Sequence, residues 1–354
     1  MLITGGTVFV SRRAAEYFRE TYEVYVLNRN SRPQCGGVKL IEGDRHHLGN
    51  ALRGLFFDAV LDITAYEEAD VLDLLDALDG FGDYLMVSSS AVYPETAAQP
   101  FAEQTPTGPN RFWGKYGMDK ISAEKALLSR VPNAYILRPP YLYGPGNNVY
   151  REAFVFDCAL GDRPFFLPGD GEMKLQFLHV DDLCRIMEAI LNTHPAEHIW
   201  NVGNRDTVSV REWVESCYEA AGKRPVFRNI SSDVDQRRNF PFYDYSYCLD
   251  VTKQLELLPD TKPLPEGLRE SFVWYLAHPE LVKKKPLLEY IGQHRTMGTA
   301  GFGGSFAPIV QYEKWEIHPV FPHFSYFRLC QNLSPNLLAP LCGVAIDQNY
   351  KEKL

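Results

Sequence analysis

The sequence lacks a long apolar run, paired cysteines and a secretory leader. Its 354 residues contain no stretch of ~18 apolar residues, which excludes an ordinary transmembrane helix and predicts no membrane association. The seven cysteines are an odd number without a CxxC pair, so we expect neither a disulfide framework nor a zinc site. The first residues lack the basic and apolar regions of a signal peptide. These absences together predict a cytoplasmic protein with reduced thiols.

The sequence also has no excess of positive charge. Its 36 basic and 45 acidic residues give a formal net charge of −9, which disfavours binding to the phosphate backbone of nucleic acid. A hydrophobic content of 45% is typical of a folded globular protein and excludes general disorder, collagen and coiled coil.

Short apolar runs alternate with amphipathic stretches in the first part of the chain. This alternation predicts an α/β fold, with a doubly wound parallel sheet that carries helices on both faces. We predict a dinucleotide-binding lobe over 1–148 to which later segments can return, a smaller mixed α/β substrate-binding lobe over 149–295, and an unassigned tail over 296–354. The predicted strands are Leu2–Thr4, Val24–Leu27, Val38–Ile41, Ala59–Asp62, Tyr84–Ser88 and Ala134–Leu137, and the predicted helices cover 11–20, 67–78, 114–130, 181–192, 209–221 and 264–277.

A pair of glycines follows the first predicted strand. Gly5 and Gly6 let the backbone approach a pyrophosphate, and the helix that follows offers amide donors and the positive end of its dipole. A plain tight turn is the alternative interpretation, but the position after strand one of an α/β pattern favours a cofactor site. The residues predicted to bind a dinucleotide here are Thr4, Gly5, Gly6, Thr7, Val8 and Phe9.

The second predicted strand ends without the carboxylate that usually selects NAD. Asn28 has no charge, whereas Arg29 can bind a 2′-phosphate with two parallel hydrogen bonds. We therefore favour NADP over NAD and leave NAD open; an exposed arginine in a polar loop is the other interpretation. Asp44 and Arg45, after the third predicted strand, are predicted to lie at the cofactor; by the family resemblance given below Asp44 would contact the adenine, and it could equally be a turn residue.

A tyrosine and a lysine four residues apart open the helix predicted over 114–130. This spacing places Tyr116 and Lys120 on one helix face. An ammonium beside a phenol would lower the phenol pKa from about 10, as a general acid/base at a hydroxyl or ketone requires. YxxxK occurs by chance in long helices and needs support from a second element. Serines directly follow the fifth predicted strand, at the edge of the sheet where ligands bind, and the family resemblance given below selects Ser89 among them. Ser90 is the alternative serine for contact with substrate.

These segments resemble the extended short-chain dehydrogenase/reductases of the NAD-dependent epimerase/dehydratase family, with their TGxxGxxG, SSxxVY, YxxxK and RPxxxYGPGN motifs. Val8 and Ser11 replace two of the glycines. The variant turn is similar to the GGTxFxG of an atypical branch that includes the chloroplast stem-loop-binding proteins. The resemblance covers about residues 1–295. It implies a Rossmann-type fold, a nicotinamide hydride carrier and a homodimer. The matching residues are Thr4, Gly5, Ser89, Tyr93, Tyr116, Lys120 and the run from Arg138 to Asn147.

The resemblance also implies further site residues. Thr64 and Ala65 would line the cofactor ribose, and Tyr116 and Lys120 would also contact the cofactor. Pro139 and Tyr141 would pass beside the nicotinamide, although the prolines also suit a purely structural role. Tyr66 and Asn147 are candidates for substrate contact. In the segment similar to FxHVxDL, we expect Asp181 to cap a helix and His179 to be a packed structural histidine. We predict no metal site.

The substrate is less well defined. Many relatives act on nucleotide-diphosphate sugars and carry GDGxQxRDF, whose arginine binds the diphosphate, but Leu175 stands at that position here. Arg237 and Arg238 could contact phosphate instead, or they could be surface charge. Two hypotheses remain. One is an epimerase, dehydratase or reductase that uses Tyr116, which the intact Ser/Tyr/Lys set favours. The other is a largely non-catalytic, cofactor-binding protein with RNA or protein partners.

Overall fold

The computed structural model describes residues 1–230 and 235–295. The predicted tail over 296–354 lies outside these residues. Met1 to Tyr290 form one compact unit. The division of this region into two lobes near residue 148 stays a prediction.

Seven parallel strands form the central sheet, in the spatial order β11-β6-β5-β4-β1-β2-β3. The order reverses direction beside β1, which is the switch point where doubly wound sheets bind ligands. The predicted fold class is confirmed. The strands are β1 (Leu2–Thr4), β2 (Tyr25–Asn28), β3 (Lys39–Glu42), β4 (Phe56–Asp62), β5 (Gly80–Val87), β6 (Tyr135–Arg138), β7 (Tyr141–Tyr143), β8 (Phe165–Pro168), β9 (Lys174–Leu175), β10 (Phe177–His179), β11 (Ile199–Asn201), β12 (Val208–Ser209) and β13 (Phe227–Ile230).

Helices cover both faces of the sheet because successive strand residues point to opposite sides. Ile3 packs with one buried cluster, which includes residues of α1 and α5, whereas Leu2 packs with the other, which includes residues of α2 and α3. The helices are α1 (Phe9–Phe18), α2 (Glu68–Ala77), α3 (Lys115–Arg130), α4 (Glu152–Leu160), α5 (Val180–Thr193), α6 (Val210–Ala220), α7 (Thr252–Leu257), α8 (Leu264–Ala277) and α9 (Leu287–Arg295), with short 3₁₀ turns at Ser90–Val92, Gln236–Arg238 and Pro279–Leu281.

The six predicted strands and six predicted helices all occur, with bounds that shift by a few residues. β5 starts at Gly80, earlier than predicted. Its glycines hid the strand pattern, although Gly82 is required there: a Cβ would lie 2.5 Å from the Asp58 carbonyl oxygen on β4. The sequence pattern missed β11, the edge strand at Ile199–Asn201.

A buried ion pair joins α3 to the centre of the sheet. Arg138, at the end of β6, donates to both carboxylate oxygens of Glu124 on α3, at 3.0 and 2.5 Å. Ser88, which follows β5, donates to the same carboxylate at 2.5 Å. Arg138 also donates to the Tyr93 hydroxyl at 2.9 Å, and Tyr93 donates to Asn201 of β11 at 2.7 Å. Burial alone would lower the Arg138 pKa, but Glu124 raises it above its ordinary value.

We expect Glu124→Gln to lower the free energy of unfolding by about 3–5 kcal/mol, because the substitution leaves the Arg138 charge buried without a counter-ion. Urea denaturation measures this difference. The matched control is Glu20→Gln, whose parent carboxylate is largely exposed beside Arg19 and should change stability by no more than about 0.5 kcal/mol. Equal, small effects of the two substitutions would contradict the structural role of the pair.

Candidate active site

The glycine turn after β1 is built for close backbone approach. Gly5 and Gly6 have φ angles of 89° and 85°, in the left-handed region that favours glycine. A Cβ on Gly5 would lie 2.8 Å from the Ser11 hydroxyl, and one on Gly6 would lie 2.5 Å from a Val26 methyl. The turn leads directly into α1, so the first amides of that helix face the same place. These features fit the pyrophosphate of a dinucleotide.

Val8 and Ser11, which replace two glycines of the family motif, both fit this turn. Val8 has an extended backbone at φ −137°, which any residue adopts, and Thr7 beside it is half-buried. The Ser11 hydroxyl donates to the Val8 carbonyl at 3.0 Å and so fits against Gly5. The positive φ falls instead on Phe9, at 42°. The departure at Val8 therefore places no backbone strain at that residue.

Thr4 connects the glycine turn to the end of β4. Its hydroxyl donates to Asp62 at 2.8 Å and accepts from the amide of Thr64 at 3.0 Å. Arg45 pairs with the other Asp62 oxygen at 2.9 Å, and Tyr84 donates to that oxygen at 2.7 Å. Arg45 was predicted to lie at the cofactor. Its guanidinium instead pairs with the buried Asp62 carboxylate, a contact that the sequence did not reveal.

The ends of β2 and β3 carry the residues predicted to choose between the two nicotinamide cofactors. Asn28 is occupied within the protein: its amide donates to the Gly5 carbonyl at 2.6 Å and to Gln34 at 3.0 Å. Arg29 is exposed. Asp44 accepts from the amide of His46 at 3.1 Å, and this bond, followed by the charge of Arg29, lowers the Asp44 pKa.

The structure brings together the three predicted catalytic residues at the carboxyl end of the sheet. Ser89 follows β5, and its hydroxyl accepts from the Ala91 amide at 3.2 Å. Tyr116, in the first turn of α3, has its hydroxyl close enough to Ser89 for that side chain to lower the Tyr116 pKa in part. Lys120 lies one helical turn further on, buried, and its ammonium donates to the carbonyls of Ala65 and Val87 at 2.6 and 2.9 Å. Lys120 thereby joins β4 and β5 at the site.

The sequence predicted that Lys120 lowers the Tyr116 pKa, and this prediction is wrong: the pKa is raised. The residue is 40% exposed, yet burial around its hydroxyl raises the pKa above 10, against smaller lowering effects of Ser89 and Arg151. The ammonium of Lys120 is directed to two carbonyls, which explains why helix spacing alone gave the wrong sign. Burial also lowers the pKa of Lys120, to about 8.

Tyr66 covers the lysine. Its ring centroid lies 5.0 Å from the Lys120 ammonium, and Tyr66 is 55% exposed. A cation beside the face of an aromatic ring is stabilised electrostatically. Thr64 and Ala65, in the same loop, contact Thr4 and Lys120 respectively, so this one loop links the glycine turn to the catalytic residues.

Other predicted residues are committed to internal contacts. Ser90 is buried and donates to the Tyr247 hydroxyl at 3.1 Å, while its amide donates to the Pro139 carbonyl at 2.9 Å. Asn147 is buried and donates to Glu152 at 2.8 Å. Among the three serines, these contacts favour Ser89 for the substrate. The side-chain amide of Asn147 is used in this contact with Glu152, and its predicted contact with substrate stays a prediction.

An aromatic wall adjoins these residues. Tyr141 is buried, and its hydroxyl has no hydrogen-bond partner among the described residues. Its ring lies 4.6 Å from that of Phe242. Arg237 contacts Tyr243 of the same wall, whereas the adjacent Arg238 is exposed and lies over the ring of Tyr290 instead. The sequence pointed to Arg237 but missed Arg151, whose guanidinium lies 4.9 Å from the Tyr141 ring.

A group of charged side chains lies at the junction of β10 and α5. Donor atoms of His179, Asp181 and Glu270 lie within 4.8 Å of one another, a spacing that could hold a metal ion. Lys262 already contacts both carboxylates, at 3.1 and 2.7 Å, so we interpret the group as an ion-pair network. His179 is fully buried, as predicted. The helix cap is His179 and not Asp181, because its ring accepts from the Asp181 amide at 3.2 Å.

No helix within residues 1–230 and 235–295 is long and apolar enough to cross a membrane.

Comparison with known proteins agrees with this geometry. A family model described as NAD dependent epimerase/dehydratase family matches residues 58–203. The chloroplast stem-loop binding protein of 41 kDa b from Arabidopsis thaliana is 28% identical over 300 residues, which are 77% of this chain and 78% of that protein. The matched family region begins after the glycine turn, where this sequence departs from the motif.

Two solved structures share the fold. The dTDP-glucose 4,6-dehydratase from Bacillus anthracis, in complex with NAD, has a TM-score of 0.64 at 20% identity and covers 81% of this chain and 98% of its own. MoeE5, in complex with UDP-glucuronic acid and NAD, has a TM-score of 0.63 at 22% identity and covers 78% of this chain and 98% of its own. The chain is thus similar to the extended short-chain dehydrogenase/reductases of the NAD-dependent epimerase/dehydratase family, and among them to the atypical branch of the chloroplast stem-loop-binding proteins.

The buried lysine predicts a pH dependence of stability. A folded-state pKa of about 8 for Lys120 lies below the unfolded value of about 10.5. Between these values the unfolded chain binds one more proton, so the free energy of unfolding rises with pH, by up to about 3 kcal/mol. Below pH 8 the lysine is protonated in both states, so it does not make the free energy of unfolding depend on pH. We expect wild type to gain this stability relative to Lys120→Met between pH 8 and 10.5, in denaturation profiles.

The matched control for this experiment is Lys125→Met, which removes an exposed lysine of α3 and should run parallel to wild type. If Lys120→Met also runs parallel to wild type, the ammonium is not desolvated as described.

Proposed function

We propose that the protein is an NAD(P)-dependent epimerase, dehydratase or reductase that acts on a hydroxyl or keto group of a sugar, as part of a nucleotide-sugar-like substrate. The observation that carries this proposal is the meeting of Ser89, Tyr116 and Lys120 beside the glycine turn, at the switch point of the sheet. The two structural neighbours were solved with NAD, and one of them with a nucleotide sugar, which supports the same substrate class.

In the proposed mechanism, Tyr116 transfers the proton and Ser89 orients the substrate oxygen. A nicotinamide, when bound, accepts or returns the hydride. Tyr116 is protonated at neutral pH because its pKa is raised, so it is ready to donate a proton to a substrate carbonyl oxygen. In the opposite direction the phenolate form of Tyr116 would take the proton of the substrate hydroxyl, and a nearby positive charge would have to stabilise that phenolate. Ser89 bonds the same substrate oxygen and orients it.

The glycine turn and the neighbouring loop would hold the cofactor. The cradle at Gly5 and Gly6 fits the pyrophosphate, and the ammonium of Lys120, at the end of the Thr64–Ala65 loop, is placed to bind ribose hydroxyls. Tyr66 excludes water from one side of that ammonium. Pro139 and Tyr141 form the buried wall on which the nicotinamide end would rest.

The residues at the carboxyl end of β2 favour NADP over NAD. Asn28 is used internally and has no charge, while Arg29 is exposed and free to approach a 2′-phosphate. Asp44, beside Arg29, would contact the adenine side. The solved neighbours carry NAD, so this preference rests on the residues of this chain alone.

We expect Arg29→Ala to weaken NADPH binding by about tenfold or more while leaving NADH binding unchanged, because only NADPH carries the 2′-phosphate that the guanidinium would bind. Fluorescence titration of the two reduced cofactors measures both affinities. Arg32→Ala removes another exposed arginine of the same loop and serves as control. Tighter binding of NADH than NADPH by the wild type would refute the preference.

A non-catalytic role with RNA or protein partners is the second candidate. The curated relative from Arabidopsis thaliana is named for stem-loop binding, which favours it. The net charge of −9 and the assembled catalytic residues favour the enzyme. The homodimer and the cytoplasmic location implied earlier stay predictions.

We expect Tyr116→Phe to reduce turnover by about 10²- to 10⁴-fold, because it removes the proton-transferring hydroxyl and keeps the ring. Assays with reduced and oxidised nicotinamide across keto sugars and nucleotide sugars measure the loss. Cofactor affinity should not change. Tyr25→Phe removes a hydroxyl that bonds Glu23 on the surface, and its turnover should equal that of wild type. Undiminished turnover in Tyr116→Phe would exclude this mechanism.

A further inference from the structure

The Tyr66 ring lies beside the one donor of Lys120 that no protein carbonyl takes. A lysine ammonium has three N–H donors. Two of those of Lys120 go to the carbonyls of Ala65 and Val87, at 2.6 and 2.9 Å. Within the part of the chain that the structure describes, the third donor has no acceptor, and the Tyr66 ring centroid lies 5.0 Å from the ammonium. Because Lys120 is otherwise buried, this ring occupies the side from which a ligand would reach it.

The backbone of Tyr66 is fixed, whereas its ring is held weakly. Asp70, in the first turn of α2, accepts from the Tyr66 amide at 2.6 Å and from the Glu67 amide at 3.1 Å. The Tyr66 residue is nevertheless 55% exposed. Among the described residues, no second aromatic ring stacks on it and no hydrogen bond holds its hydroxyl, so attraction to the Lys120 ammonium is the main interaction of the ring.

Asp70 itself is held by the loop that follows β3. Its second carboxylate oxygen lies 3.6 Å from Nε of Arg45 and 3.3 Å from Nε2 of His46. Asp70 is buried, so this contact joins two segments of the chain inside the protein. Because the backbone of Tyr66 is fixed in this way, rotation of its side chain is the movement that uncovers Lys120.

Tyr66 lies at the centre of the proposed reaction site. Its phenol acts electrostatically on the Tyr116 hydroxyl, which places the two side chains close together. Tyr116 is half-exposed, whereas Lys120 is buried behind the Tyr66 ring. The ring therefore separates the lysine from the open side of the site and leaves the catalytic tyrosine accessible.

We propose that Tyr66 is a gate on the dinucleotide site: its ring covers the Lys120 ammonium in the free protein and rotates away before a ribose hydroxyl binds there. A hydroxyl oxygen offers the third N–H of Lys120 a hydrogen bond in exchange for the ring. Only the uncovered fraction of the protein binds, so the gate slows association and leaves dissociation unchanged. This inference rests on the proposed function for the placement of the ribose at Lys120.

Stopped-flow measurement of NADPH and NADH binding to the full-length protein tests the gate. Tyr66→Leu keeps much of the bulk but has no π face, so we expect association about tenfold faster than in wild type, at an unchanged dissociation rate. Tyr66→Phe keeps the aromatic face and should associate at close to the wild-type rate. In a Lys120→Met background, which removes the cation, Tyr66→Leu should give no gain. Thermal denaturation shows that each variant is folded.

Tyr25→Leu is the matched control, because it removes a ring that lies 5.1 Å from the Lys39 ammonium, at the start of β2. Its association rates should equal those of wild type. The inference is overturned if wild type binds neither dinucleotide, or if Tyr66→Leu associates no faster than wild type. It is also overturned if Tyr66→Leu releases the dinucleotide faster, as loss of a ring that stacks on it would cause, or if its gain persists in Lys120→Met.

The gate and the proposed function can fail separately. Turnover of a sugar substrate by wild type, together with wild-type association rates in Tyr66→Leu, would refute the gate and leave the proposed function standing. Faster association in Tyr66→Leu, in a protein that turns over no keto sugar or nucleotide sugar, would support the gate and count against the proposed function.

Discussion

The buried pair between Arg138 and Glu124 is the constraint on which the geometry of the site depends. It holds α3, which carries Tyr116 and Lys120, against the end of β6. The same carboxylate binds Ser88, next to Ser89, so one anion fixes both the helix and the serine loop. An ion pair buried this deeply adds little net stability compared with apolar packing, but loss of one partner is strongly unfavourable. Its value here lies in positioning.

A second set of polar contacts extends the same logic to the cofactor side. Asp62, at the end of β4, binds Thr4 from the glycine turn and Arg45 from the loop after β3. The next residues, through the Ala65 carbonyl, bind Lys120. Hydrogen bonds and the short backbone stretch from Asp62 to Ala65 therefore join the glycine turn to α3. Because all of these groups lie at the carboxyl ends of parallel strands, the topology of the sheet brings them together.

The sequence predicted what local patterns determine. The strands of the first half have strong apolar runs, and the glycine turn and the YxxxK spacing are short-range motifs, so their placement followed. The sign of the Tyr116 pKa shift could not be predicted, because it depends on burial and on the direction of the Lys120 side chain. Arg151 was missed because its contact with the Tyr141 ring depends on the path of the chain between them, which no motif shows. Asp181 was predicted to cap α5, but the N-cap is His179, a residue type that the usual capping preferences would not select.

The most direct measurement is a crystal structure of the full-length protein with bound oxidised nicotinamide dinucleotide. We expect its pyrophosphate over Gly5 and Gly6, its nicotinamide ribose within hydrogen-bond distance of the Lys120 ammonium, and the Tyr116 hydroxyl facing the reactive ring. A dinucleotide bound elsewhere, or one whose nicotinamide lies away from Tyr116, would contradict the account of this site as a hydride-transfer centre.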